Sequence, residues 1–153
     1  MCHPFPGFSG FTVGIAVLIC VWVVASLQTG SGSFTFDKPG QPGSFEARLT
    51  NYIRAGEFVV GLATSSIVLL VGSSALHAGG RLPWVYASPL ILLALSVVYG
   101  ILFMVLLVFN YEAFQHNPGC YTRSRYVRNQ ALGFSSLVCF CGGYLWLILA
   151  ITR

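Results

Sequence analysis

Across 153 residues the chain is 56% hydrophobic and only 8% charged, with a formal net charge of +4 and a mean hydropathy of +0.77. An average soluble domain carries roughly 25% charged residues, and eight basic plus four acidic side chains cannot clothe a water-exposed surface of this size. The composition excludes a water-soluble globular fold and leaves a polytopic membrane protein.

Four segments are long, apolar and free of charge: residues 8–27, 58–76, 85–109 and 131–151. Each is near the roughly 20 residues that a helix needs to cross a bilayer. Hydrocarbon offers the backbone no hydrogen-bond partner, so each span is expected to be helical. The period-two alternation of barrel strands is absent. The expected fold is all-α: a single domain over residues 1–153, built as a four-transmembrane-helix bundle and integral to the membrane by several passes.

In the first segment, MCHPFPGFSG carries no Lys or Arg, and the apolar run that follows exceeds the usual 7 to 15 residues of a signal core. Ala25-Ser26-Leu27 is a poor cleavage site, so a retained helix is expected. The loop over 28–56 has two halves. TGSGSFTFDKPGQPGS is rich in Gly, Ser and Pro and reads as irregular. FEARLTNYIRAGE puts Phe45, Leu49, Tyr52 and Ile53 on one face, with Glu46, Arg48, Asn51 and Arg54 mostly elsewhere. That pattern predicts a short interfacial helix resting on the bilayer edge.

Glu57 stands at the mouth of the second span, three residues after Arg54, where the two can pair along a helix as an interfacial anchor. No acidic or basic residue occupies the middle of any span. Pumps, proton relays and ion-coupled transporters depend on such groups. Small residues line one face of the second span at Gly61, Ser65 and Gly72, and of the fourth at Ser135, Cys139 and Gly142. Strips of this kind let helix backbones approach closely in lipid. The internal bundle is their expected place, with a partner subunit as the alternative.

HAGGRLPW, between the second and third spans, is short and cannot continue a helix, which makes those spans antiparallel neighbours. Trp84 and Tyr86 fit an interfacial aromatic belt. In the third loop, YTRSRYVRNQALGF sets Arg123, Arg125 and Arg128 against the last apolar run. Arg125 and Arg128 share a face if the fourth helix begins early, and guanidinium groups there would meet lipid phosphates bidentately. An anionic ligand or a partner protein is the alternative. Arg123, Arg125, Arg128, Arg54 and Glu57 are therefore the candidate lipid- or partner-binding residues. Lys38, Arg48, Arg54, Arg123, Arg125 and Arg128 face Arg81 and Arg153 across the membrane, six basic residues against two. The bias places the long loops in the cytoplasm and the termini outside.

Cys2, Cys20, Cys120, Cys139 and Cys141 include no pair within one loop, and on a helix Cys139 and Cys141 point about 200° apart. They read as small apolar residues rather than as disulfides or metal ligands. His77 and His116 have no Cys or carboxylate at metal-ligand spacing, and no Gly-rich phosphate loop or Ser–His–Asp arrangement is visible. No metal or cofactor is expected. The expected partners are membrane lipids and another membrane protein or a second copy, and no nucleic acid.

GEFVVGLATSSIVLLVGSSAL and ALGFSSLVCFCGGYLWLILAITR resemble the second and fourth spans of MARVEL-domain proteins, particularly the synaptophysin–synaptogyrin branch. The resemblance implies a non-enzymatic protein that organises vesicle or junctional membranes. That family places its larger loops outside, opposite to the charge count here, and its physins carry loop cysteines where this chain has Cys120. A second resemblance is to four-helix membrane enzymes of glutathione and eicosanoid metabolism. It implies a glutathione site at Arg48, Asn51, Arg54 and Glu57 in FEARLTNYIRAGE, joined by Arg125 and Tyr126 in SRYVR. The Pro expected after the Glu is absent, and GSGSFTFDKPGQPGS is foreign to those enzymes. An accessory subunit beside a channel or transporter is the third reading.

Topology is tested by single cysteines introduced at Gly40, Gly80 and Pro118 in a cysteine-free background. Residues 40 and 118 should label from one side of the membrane and residue 80 from the other; any other grouping contradicts four spans.

Overall fold

A computed structural model describes residues 6–30, 45–75, 84–116 and 122–152, and every regular element among them is helical. The irregular half of the first loop, the turn after the second span, and Cys2, Lys38, His77, Arg81, Cys120 and Arg153 lie outside these residues.

Helix α1 spans Pro6–Gln28. Proline fits the first helical position because its missing N–H would have no partner there and its φ is already helical. Helix α2 spans Phe45–Ala75. A 3-10 turn, Trp84–Tyr86, leads into α3, Ala87–His116. Pro89 falls in the first turn of α3, where it removes no intrahelical bond. Asn117-Pro118-Gly119 follows that helix in sequence and cannot continue it. Helix α4 spans Arg123–Ile151. All four helices contain windows long and apolar enough to cross a membrane, so the chain is an all-α, multi-pass membrane protein.

The short interfacial helix expected in the first loop is not a separate element. It is the first part of α2, which runs unbroken for 31 residues, about 46 Å at 1.5 Å per residue. No proline interrupts 45–75, and tertiary contacts hold the polar half in line. Tyr52 meets Phe103 of α3 edge to face at 6.4 Å. At Gly56, an added Cβ would stand 2.9 Å from the Met104 sulfur. α3 and α4 likewise begin or end well beyond their apolar runs.

α3 is the hub. It packs against α1, α2 and α4; α1 and α4 also meet; α2 touches α4 only lightly and, among the described residues, does not meet α1. The buried residues explain this. On α3, Pro89, Leu93, Ser96, Gly100, Leu107 and Asn110 form a stripe at spacings of three, four and seven. On α4, Asn129, Leu132, Ser136, Cys139, Gly143 and Leu147 form its counterpart. Such spacing keeps one seam turned toward a neighbouring helix. Leu92, Tyr99, Leu132 and Cys139 make the core cluster, with Val17, Leu18, Phe103 and Trp146 packed on it.

Close approach depends on glycines other than those singled out from sequence. A Cβ on Gly10 would stand 2.5 Å from the backbone oxygen of Ser88, and one on Gly100 would stand 2.8 Å from Val60 Cγ2 and 3.1 Å from Ser136 Oγ. By contrast, a Cβ on Gly61, Gly72 or Gly142 would meet nothing within 4 Å, and Ser65 is exposed. The expectation that Gly61, Ser65, Gly72 and Gly142 serve internal packing is therefore corrected. The inward face of α2 is the adjacent one carrying Val59 and Ala63. Ser135 and Cys139 of the second strip are buried.

These positions separate in a stability test. Gly10→Ala and Gly100→Ala should each destabilise the fold by about 1–3 kcal/mol through overpacking. Gly61→Ala and Gly142→Ala should be neutral or stabilising by up to about 1 kcal/mol. Unfolding in mixed micelles by added SDS reads the difference.

Candidate functional site

Ionisable groups gather at the end of the bundle that carries the long loops. There α2 contributes Arg48, Arg54 and Glu57, α3 contributes Glu112 and His116, and α4 contributes Arg123, Arg125 and Arg128. The end is built from helix termini, whose last carbonyls and first amides have no partner within the helix. α1 resolves its carbonyls in two ways. The Thr29 amide donates to the Ala25 oxygen at 3.1 Å, and the Thr29 hydroxyl bonds the same oxygen. Arg123 Nη2 donates to the Ser26 oxygen at 2.7 Å. A cation at a helix C-terminus also meets the negative end of the helix dipole. Arg123 thus ties the start of α4 to the end of α1.

Just inside this end, Asn110 Nδ2 donates to Asn129 Oδ1 at 3.1 Å, joining α3 to α4 with both side chains buried. Asn129 Nδ2 is itself buried and has no acceptor among the described residues. α4 begins at Thr122, whose extended backbone precedes the helix but whose side chain makes no capping bond, and the first turn holds no acidic residue.

The residues expected to bind lipid or a partner do not act as one group. Arg123 is engaged within the chain. Arg125 is half-buried and Arg128 exposed, and neither makes a hydrogen bond or ion pair among the described residues. Arg54 and Glu57 are both exposed on α2, and no ion pair joins them among the described residues, so the expected Arg-paired anchor is not formed. Relative to the inward face at Val59 and Ala63, helical register turns Arg54 and Glu57 away from α3. Arg48 and Asn51 are exposed as well, while Tyr126 is half-buried.

Polar pairs that sequence reasoning did not single out cross the rest of the bundle. Ser96 Oγ donates to the Ser136 carbonyl at 2.8 Å, and Ser136 Oγ donates to the Ser96 carbonyl at 2.9 Å. Ser9 Oγ and Ser88 Oγ are 2.8 Å apart, linking α1 to α3. Tyr99 donates to the Gly14 carbonyl at 3.3 Å. Tyr144 of α4 is hydrogen-bonded to Ser66 of α2. A serine in a span carries little signal by itself, because it can also bond its own helix, as Ser66 does to the Leu62 carbonyl at 2.8 Å. Asn110 and Asn129 carried more: each is an amide just beyond the end of an apolar run.

Among the described residues no three His, Cys, Asp or Glu side chains converge as a metal site. An open groove of about 290 Å³ runs along the outer face of α1, lined by Ile19, Trp22, Val23, Ser26 and Leu27. No protein-family model, curated protein or solved structure matches the chain.

The asparagine pair is measurable. A double-mutant cycle with Asn110→Leu and Asn129→Leu should give a coupling of about 0.6–1.7 kcal/mol, the range for hydrogen bonds between membrane helices. A coupling near zero would mean that the two amides are independent.

Proposed function

We propose that this chain is a non-enzymatic tetraspan membrane protein that works through a neighbour in the bilayer, as an accessory subunit or as an organiser of membranes. One observation carries the reading. α2 leans on α3 alone for most of its packing and turns Gly61, Ser65 and Gly72 to the outside, where all three are exposed and a Cβ on either glycine would meet nothing within 4 Å among the described residues. In lipid, helix association is driven by backbone approach and packing, and a face of small residues at helical spacing is suited to a second helix. The resemblance to MARVEL-domain proteins agrees with this reading. The outward-turned Arg54 and Glu57 favour it over a glutathione enzyme, whose proposed ligands would have to converge with Arg125.

Purification from native membranes in mild detergent should retain a second membrane protein, or a second copy, at fixed stoichiometry. A photo-crosslinker at Ser65 should join α2 to it. Gly61→Leu with Gly72→Leu should remove that partner and leave the stability of the isolated chain unchanged. Saturable glutathione binding at micromolar concentration, weakened by Arg48→Ala, Arg54→Ala and Arg125→Ala, would replace this reading with the enzymatic one.

A further inference from the structure

By helical register Arg125 and Arg128 stand above the seam side of α4, beyond its buried residues, with Arg125 half-buried and Arg128 exposed. Seven residues advance a helix by almost two whole turns. Arg125 therefore stands in the column of Leu132, Cys139 and Trp146, and Arg128 in the column of Ser135. Leu132, Cys139 and Ser135 are buried, and Trp146 packs on the core. By register the two arginines crown the end of the bundle. Exposed arginines whose only task is to set topology could sit at any azimuth.

Glu112 of α3 lies at the same end of the bundle but pairs with neither arginine among the described residues. Among the described residues neither guanidinium has a hydrogen bond or ion pair, although Arg125 is half-buried. The first turn of α4 contains no carboxylate that could serve the pair. The complement to this set is an anion with several oxygens, and guanidinium forks match phosphate bidentately.

Depth identifies the source of the phosphate. The last apolar run begins at Ala131, so Arg128 and Arg125 lie about 5 and 9 Å further along the axis at 1.5 Å per residue. That is the layer where phospholipid phosphates sit against a hydrocarbon core about 30 Å thick. We propose that Arg125 and Arg128 bind the phosphate of an anionic phospholipid in the surrounding leaflet. A zwitterionic choline headgroup would bring its own cation against the guanidinium pair, so the site discriminates by net headgroup charge. Arg123, held on the Ser26 carbonyl, takes no part. The site does not depend on whether α2 carries a protein partner, and its test uses the purified chain without one.

The full chain, delipidated in mild detergent and monitored for helicity and monodispersity, is titrated with phosphatidylglycerol or phosphatidylcholine and read by native mass spectrometry. Phosphatidylglycerol should bind about tenfold more tightly than phosphatidylcholine. Arg125→Gln and Arg128→Gln should each weaken it by about tenfold, the loss expected for one charge-assisted contact. Arg54→Gln, on the outer face of α2, should change nothing. If the glutamine variants lose monodispersity, Arg125→Lys with Arg128→Lys keeps the charge, removes the forks, and should still weaken binding. Equal retention of the two lipids by the unaltered chain would overturn the site, as would unchanged phosphatidylglycerol binding in the arginine variants. Displacement of phosphatidylglycerol by inorganic phosphate at equal concentration would overturn the lipid assignment in favour of free phosphate.

Discussion

Inside hydrocarbon, a hydroxyl or amide has no water to bond and must find its partner within the protein, and α3 is where most of these partners are found. Its Ser88, Ser96, Tyr99 and Asn110 bond in turn to Ser9, Ser136, the Gly14 carbonyl and Asn129. Each bond reaches a different level of α1 or α4, so satisfying them fixes the register of both helices against α3 at once. The reciprocal Ser96–Ser136 pair is the tightest example, since each hydroxyl bonds the carbonyl of the other residue. Sliding α4 by one turn would orphan both.

The same bonds require short distances between backbones, which explains which glycines matter. Ser136 Oγ lies close beside Gly100, and the Ser88 carbonyl beside Gly10. Side chains at either place would push apart the helices that the serines hold together. α2 participates differently. Its hydrogen-bonded link to α4 runs through Tyr144, and it leans on α3 through apolar contacts that include Val60 against Gly100. It is consequently an edge helix with a broad outer face, and that asymmetry is the ground for reading the chain as a component that packs beside something else.

The arginines show how position divides one residue type into separate tasks. Arg123 closes the last turn of α1 by taking a carbonyl that the helix cannot satisfy. Arg48 and Arg54 project from the surface of α2, where basic residues flanking a span bias its orientation. Arg125 and Arg128 stand by register above the seam side of α4, half-buried and exposed respectively, with no ion pair among the described residues. Their shared charge makes them equivalent to a topology rule, while their azimuths on the helix make them unequal as binding groups.

Much of the architecture was legible from residue order alone. Twelve charges in 153 residues, with four uncharged apolar runs of spanning length, leave a four-helix membrane fold and little else. Hydrophobicity over about 20 residues is a local property, so one sequence suffices to read it. The continuity of α2 through its polar half was not legible, because whether FEARLTNYIRAGE lies along the membrane or stands on α3 depends on Phe103 and Met104, some 50 residues away. Nor could spacing tell an inward strip from an outward one: Gly61, Ser65 and Gly72 share a helical face whichever way that face points. Only the packed structure turned Val59 and Ala63 inward and the glycines outward. It also paired Asn110 with Asn129 and Arg123 with Ser26, since a hydrogen-bond partner on another helix leaves no mark on local composition.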